Sequence, residues 1–138
     1  MNSADFGRYL SIYFLNYIPK RTGYSENTIK SYRDTFTIFL RYCNDILRIK
    51  PEKLSFSKMS RKMVEEFLIW LEDTKGYSVS TRNQRLAALH AFFRYLQIEA
   101  PEYMDLCNSI LSISSKKTPM VEMNYLSIAA IGRKVVET

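Results

Sequence analysis

Apolar residues recur along this chain at helical spacing. Phe6, Tyr9, Leu10, Tyr13, Phe14 and Tyr17 advance in steps of three, one, three, one and three, which lines one face of an α-helix and predicts a first helix ending at Pro19. Ser25 then offers an N-cap, and Glu26 puts negative charge in the first turn, where the helix dipole favours it. The second helix is longer. Its inner face reads Ile29, Tyr32, Phe36, Phe39, Leu40, Cys43 and Leu47. Pro51 interrupts, and 49–59 reads as a connection with an extended or irregular piece around Leu54 and Phe56. A third helix over 61–74 is capped by Ser60. It turns Val64, Phe67, Leu68 and Leu71 inward with Trp70 alongside, and stops near Gly76, the expected left-handed terminator. Ser78 or Ser80 caps a fourth, with Leu86, Leu89, Phe92, Phe93 and Leu96 as its core face. Pro101 suits the first turn of a fifth, which carries Tyr103, Met104, Cys107, Ile110 and Leu111. Beyond it, 112–122 is polar and aperiodic, as a linker is. The segment 125–138 is amphipathic through Ile128, Ile131, Val135 and Val136, with Ser127 as its cap, and reads as the first element of a further domain.

Composition narrows the reading. Four Gly and four Pro in 138 residues leave too few turns for an all-β sandwich or barrel, so the fold class is all-α. Cys43 and Cys107 lie on apolar-periodic segments without Cys or His neighbours; reduced core thiols are expected, with neither a disulfide framework nor a metal site. No run of eighteen apolar residues predicts a membrane span, and the apolar start lacks a cleavage-site pattern, so a cytoplasmic protein with no membrane partner is expected.

Twenty Lys and Arg against fourteen Asp and Glu give a net charge of +6, which favours an anionic partner. The excess is uneven. Between residues 78 and 96 there are three arginines and no carboxylate, and Lys20, Arg21, Lys30 and Arg33 surround the start of the second helix. Two helix N-terminal halves therefore combine cations with short polar side chains: Asn27, Thr28 and Ser31 in one, Ser80, Thr81 and Asn83 in the other. Helix N-termini also present unpaired N–H groups that suit phosphate oxygens. The bland alternative is a solvated helix face, with serines that only cap and a lone His90 that is a polar surface residue. No Gly-rich phosphate loop, His-Glu-x-x-His, Cys-x-x-Cys or Gly-x-Ser-x-Gly occurs, and Glu65-Glu66 and Glu72-Asp73 diverge on a helix, so no active site and no cofactor are expected.

Three stretches in order carry a resemblance: Ser25-Glu26-Asn27-Thr28-Ile29-Lys30-Ser31-Tyr32-Arg33 with Phe39-Leu40-Arg41-Tyr42, then Phe67-Leu68-Ile69-Trp70-Leu71, then the run from Ser80-Thr81-Arg82-Asn83 to Phe92-Phe93-Arg94-Tyr95-Leu96. Together they resemble the N-terminal SAM-like, core-binding domain of tyrosine recombinases, the phage-integrase and Xer-type family. The resemblance implies a four- to five-helix SAM-like orthogonal bundle at 1–112, an interdomain linker at 113–124 and the start of a catalytic domain at 125–138.

It also implies that the second and fourth helices face the major groove of a recombination site. Thr28, Lys30, Ser31, Arg33, Thr81, Arg82, Asn83, Arg85 and His90 become candidate contacts, with Lys116 and Lys117 touching the DNA backbone from the linker. The implied partners are double-stranded DNA and other recombinase protomers. Strand cutting would belong to the catalytic domain of the parent recombinase, so this chain is expected to bind DNA without being an enzyme itself. The placement requires Lys30 and Arg85 to lie on one side of the bundle with neither tucked inside. A helical protein-interaction module without nucleic-acid binding is the competing reading, and a helix-turn-helix regulator ranks last.

Overall fold

The computed structural model describes residues 5–21 and 23–117. The predicted helix at 125–138 and the end of the predicted linker lie outside them. Among the described residues there are five α-helices and no strand: α1 (Asp5–Ile12), α2 (Glu26–Asp45), α3 (Arg61–Asp73), α4 (Val79–Glu99) and α5 (Met104–Leu111). Among the described residues no helix is long and apolar enough to cross a membrane, and no three His, Cys, Asp or Glu side chains are grouped as a metal site.

Three serines start three helices. Ser25, Ser60 and Ser78 each accept a hydrogen bond from the backbone N–H three residues on, satisfying a donor the helix cannot. Gly76, at φ 72°, ends α3 in the left-handed region, and the Tyr77 N–H closes back on the Leu71 carbonyl at 3.0 Å. The first helix departs from a simple rod. Pro19 cannot donate to the Leu15 carbonyl and its ring crowds that group, so Tyr13–Tyr17 widens into a π turn in which the Ile18 N–H reaches Tyr13. Five-residue spacing then brings Tyr13 and Ile18 into the core together, while Tyr17 stays at the edge.

The connection after α2 is irregular, with Leu54 and Ser55 extended between two short turns. Two 3-10 turns, Pro51–Lys53 and Phe56–Lys58, drop Leu54 and Phe56 into the core. There Phe6, Phe36, Phe56 and Phe92 meet mostly edge to face, with centroids 5.4 to 6.5 Å apart. α4 runs through the middle against α2, α3 and α5, and hides Leu86, Ala88, Leu89, Phe92, Phe93, Tyr95 and Leu96. Cys43 and Cys107 are reduced and fully buried, and burial pushes their thiols up to about 12 and about 11.

One buried charge ties distant segments together, and the sequence pattern gives no hint of it. The Asp5 carboxylate accepts the Phe56 N–H at 2.9 Å and the Tyr103 hydroxyl at 2.7 Å. Replacing it with alanine leaves the buried Phe56 N–H unpaired, so Asp5→Ala is expected to lower the free energy of unfolding in urea by about 1–3 kcal/mol. The hydrogen bond to Asp5, then burial, raises Tyr103 to about 12. A raised tyrosine favours the protonated form in the folded state, so this contribution is complete below pH 10 and is lost as pH climbs towards 12. The alkaline decline in stability should accordingly be shallower in Asp5→Ala than in the parent chain.

Candidate nucleic-acid interface

The starts of α2 and α4 are built alike. In each, the capping serine accepts the N–H of the residue three on, and its own hydroxyl donates to that residue's threonine Oγ1: Ser25 to Thr28 at 3.0 Å and Ser78 to Thr81 at 3.1 Å. The two predicted threonine contacts thus begin as parts of the caps, although Thr28 still lines the surface beside Ser31.

Arg85 joins the two helices. Its Nη1 donates to the Ser31 carbonyl at 3.3 Å and to Thr35 Oγ1 at 3.1 Å, and its guanidinium sits 5.7 Å from the Tyr77 ring centre. Lys30, one residue from Ser31, is exposed and shares a 3.4 Å ion pair with Asp34. Lys30 meets the sequence requirement; Arg85 meets only half of it. It lies beside the right helix but is half-buried as a strut between α2 and α4, since only inward acceptors are within its reach.

Other predicted contacts are also turned inward. Arg82 is 8% exposed, with Nη1 on Asn83 Oδ1 at 2.9 Å and on the Ser114 carbonyl at 3.4 Å, and with Nε 3.7 Å from the Glu72 carboxylate. It is a structural cation, because a guanidinium at that depth needs a carboxylate. Asn83 holds the backbone of Lys116, and the Lys116 ammonium is itself on Glu72 at 3.0 Å. His90 is half-buried, on the wall of the tyrosine-lined cavity that also holds Arg94. Its Nε2 faces the Ile110 carbonyl at 3.1 Å, and burial, with Arg94 nearby, lowers its pKa. Arg33 is exposed on the far side of α2, 5.7 Å over Phe14 in an apolar groove with Leu10 and Leu40. Lys117 is exposed at the end of the described residues.

What stays open is a strip of α4 at steps of three, four and three: Gln84, Ala87, Ala91 and Arg94. With Asn27, Thr28, Ser31 and Tyr32 of α2, its first half frames a cleft of about 380 Å³. Through Tyr32 and Ala87 this cleft continues into a cavity of about 590 Å³ walled by Tyr17, Tyr24 and Tyr95, with Arg21 and Arg94 at its rim. No carboxylate lines either hollow. Neither arginine forms an ion pair among the described residues; Arg21 lies 4.7 Å over the Tyr17 ring. Burial and Tyr24 raise the Tyr32 hydroxyl, and the Arg94 guanidinium, which lines the same cavity, pulls it down. Among the candidates, then, Thr28 and Ser31 line the cleft and His90 lines the adjoining cavity, with Lys30 exposed beside Ser31. Asn27, Gln84, Arg21 and Arg94 also line the two hollows, and none of the four was among the candidate contacts. The signal for the α4 strip was its pair of small residues, Ala87 and Ala91, between Gln84 and Arg94 on one helical face.

The family described as "Phage integrase, N-terminal SAM-like domain" matches residues 12–100, from the end of α1 through α4. The chain belongs to this family. Several curated proteins are similar to it. One is named "Putative integrase/recombinase y4rC" in Sinorhizobium fredii; it is 36% identical over 124 residues, which are 90% of this chain and 37% of that protein. A second from the same organism, "Putative integrase/recombinase y4rD", is 28% identical over 88% of this chain and 43% of its own. The "Tyrosine recombinase XerC" of Herpetosiphon aurantiacus is 34% identical over 61% of this chain and 26% of its own. The chain spans less than half the length of these curated relatives. No solved structure matches it at a significant level.

The half-buried His90 makes a pH prediction. A lowered pKa means that the folded state resists protonation, so the contribution is present above the ordinary histidine value near 6.5 and is lost as pH falls below it. Between pH 7 and 5 the melting temperature should fall in the parent chain and fall less in His90→Gln, read by circular dichroism.

Proposed function

We propose that this SAM-like domain binds duplex DNA through the N-terminal half of α2 and the open strip of α4, holding a recombination site for a site-specific tyrosine recombinase. The observation that carries the reading is the acid-free, concave face on which Arg21 and Arg94 stand without carboxylate partners, in a chain of net charge +6. Arginine and the capped helix N-termini supply contacts to phosphate, which fix register, and Asn27 and Gln84 supply amides of the kind that read adenine edges. Ala87 and Ala91 keep the strip low, so that a groove wall can approach the helix backbone.

In this reading the strand-cutting chemistry of such a recombinase is assigned to residues outside the described domain. Double-stranded DNA and further protomers assembled on it are the proposed partners, and the cytoplasm the proposed compartment. Cofactors have no role in this reading.

Titration of a labelled duplex with the purified chain, read by anisotropy at several salt concentrations, tests it. With about three phosphates engaged, log affinity should fall against log salt with a slope of about −3. Arg94→Ala and Arg21→Ala should each weaken binding about three- to tenfold and flatten the slope by about one, whereas Arg33→Ala, on the far side of α2, should leave both unchanged. Binding that ignores salt, or that responds to Arg33 and not to Arg94, contradicts the proposal and favours a protein-interaction module.

A further inference from the structure

Past the end of α5 the chain does not leave the domain. Ile113 is buried, and from Ile110, beside His90, the backbone runs back along α4 to Lys116, beside Asn83. Asn83 holds both polar groups of a single residue there: its Nδ2 donates to the Lys116 carbonyl at 2.8 Å and its Oδ1 accepts the Lys116 N–H at 3.0 Å. A carboxamide presents donor and acceptor side by side, as a neighbouring β-strand would, so it fixes the orientation of a peptide as well as its position. Arg82 adds its bond to the Ser114 carbonyl.

We propose that Asn83 and Glu72 are positioning residues that latch residues 114–116 onto α4 and thereby fix the direction in which the chain leaves the domain. The charges show which part of the latch can open. Glu72 faces two cations, Arg82 at 3.7 Å and Lys116 at 3.0 Å. The Arg82 side chain is only 10% exposed, so losing its carboxylate would strand a charge in the interior; the Lys116 side chain is 51% exposed and can exchange Glu72 for another anion. Glu72 with Arg82 is therefore the fixed half, the Lys116 ammonium the releasable one, and the Asn83 clamp holds the backbone in either state. The exit lies at the N-terminal turn of α4. If that end faces DNA as proposed above, whatever follows Lys117 starts out beside the same duplex; the latch itself does not depend on DNA.

The test uses the whole 138-residue chain without DNA. A nitroxide on Lys117→Cys reports position, because Cys43 and Cys107 are fully buried with raised thiols and stay unlabelled. The latch predicts strong relaxation of the amides of residues 80–84 by the label, and slow exchange of the Lys116 amide. Asn83→Ala should weaken the first and speed the second at least tenfold, with the Leu89 and Phe93 amides unchanged as evidence of an intact core. Asn83→Asp keeps the acceptor and should keep the Lys116 amide slow, a rescue that a merely space-filling role would not give. A Lys116 amide that exchanges like an unstructured peptide in the parent chain, or equally fast in parent and Asn83→Ala, overturns the latch, as does a label that leaves residues 80–84 untouched.

Discussion

The burial of α4 governs the rest of the structure. A helix packed against α2, α3 and α5 at once must find partners for the polar side chains it carries inward, and its first two turns carry three of them, of which Arg82 and Arg85 each keep one buried Nε without a hydrogen bond. Arg82 finds Glu72 and Ser114, Asn83 finds Lys116, and Arg85 finds Ser31 and Thr35. These bonds fasten α4 to α3, to the chain beyond α5 and to α2. They cost the domain three polar side chains that an isolated helix would have shown to solvent, and they leave one narrow strip open.

That strip explains why a basic sequence yields a modest basic surface. Several of the cations that raise the net charge to +6 are internally occupied: Arg82 and Lys116 share Glu72, Arg61 meets Glu65 and Lys30 meets Asp34. Arg21 and Arg94 are different in kind, since they flank a hollow without carboxylates. The surface is weakly charged but shaped, with two capped helix starts behind it. The chain spans less than half the length of the relatives it matches.

Helices, caps and core were legible in the sequence because they depend on neighbours three and four residues away. Ser25 and Ser60, the left-handed Gly76 and the inner faces of α3 and α4 all follow from local spacing. The site was legible only as a region. Arg82, Asn83, Arg85 and His90 have no carboxylate close by in sequence and so read as exposed, yet their partners Glu72, Lys116, Ser31 and Ile110 lie 10 to 54 positions away. No periodicity shows such a partner. The buried Asp5 escaped for the same reason, its contacts being 51 and 98 residues distant, whereas the π turn at Tyr13–Tyr17 is a local response to Pro19 that a regular 3.6-residue period does not show.

The central claim is that one face, and not merely one charge, meets the duplex. Amide chemical shifts of the isotope-labelled chain, followed during titration with double-stranded DNA, test it most directly. The account predicts that the changes concentrate at Arg21, Asn27, Thr28, Gln84, Ala87, Ala91 and Arg94. Changes centred instead on Leu10, Phe14 and Arg33, or on the exposed side of α5, would contradict it.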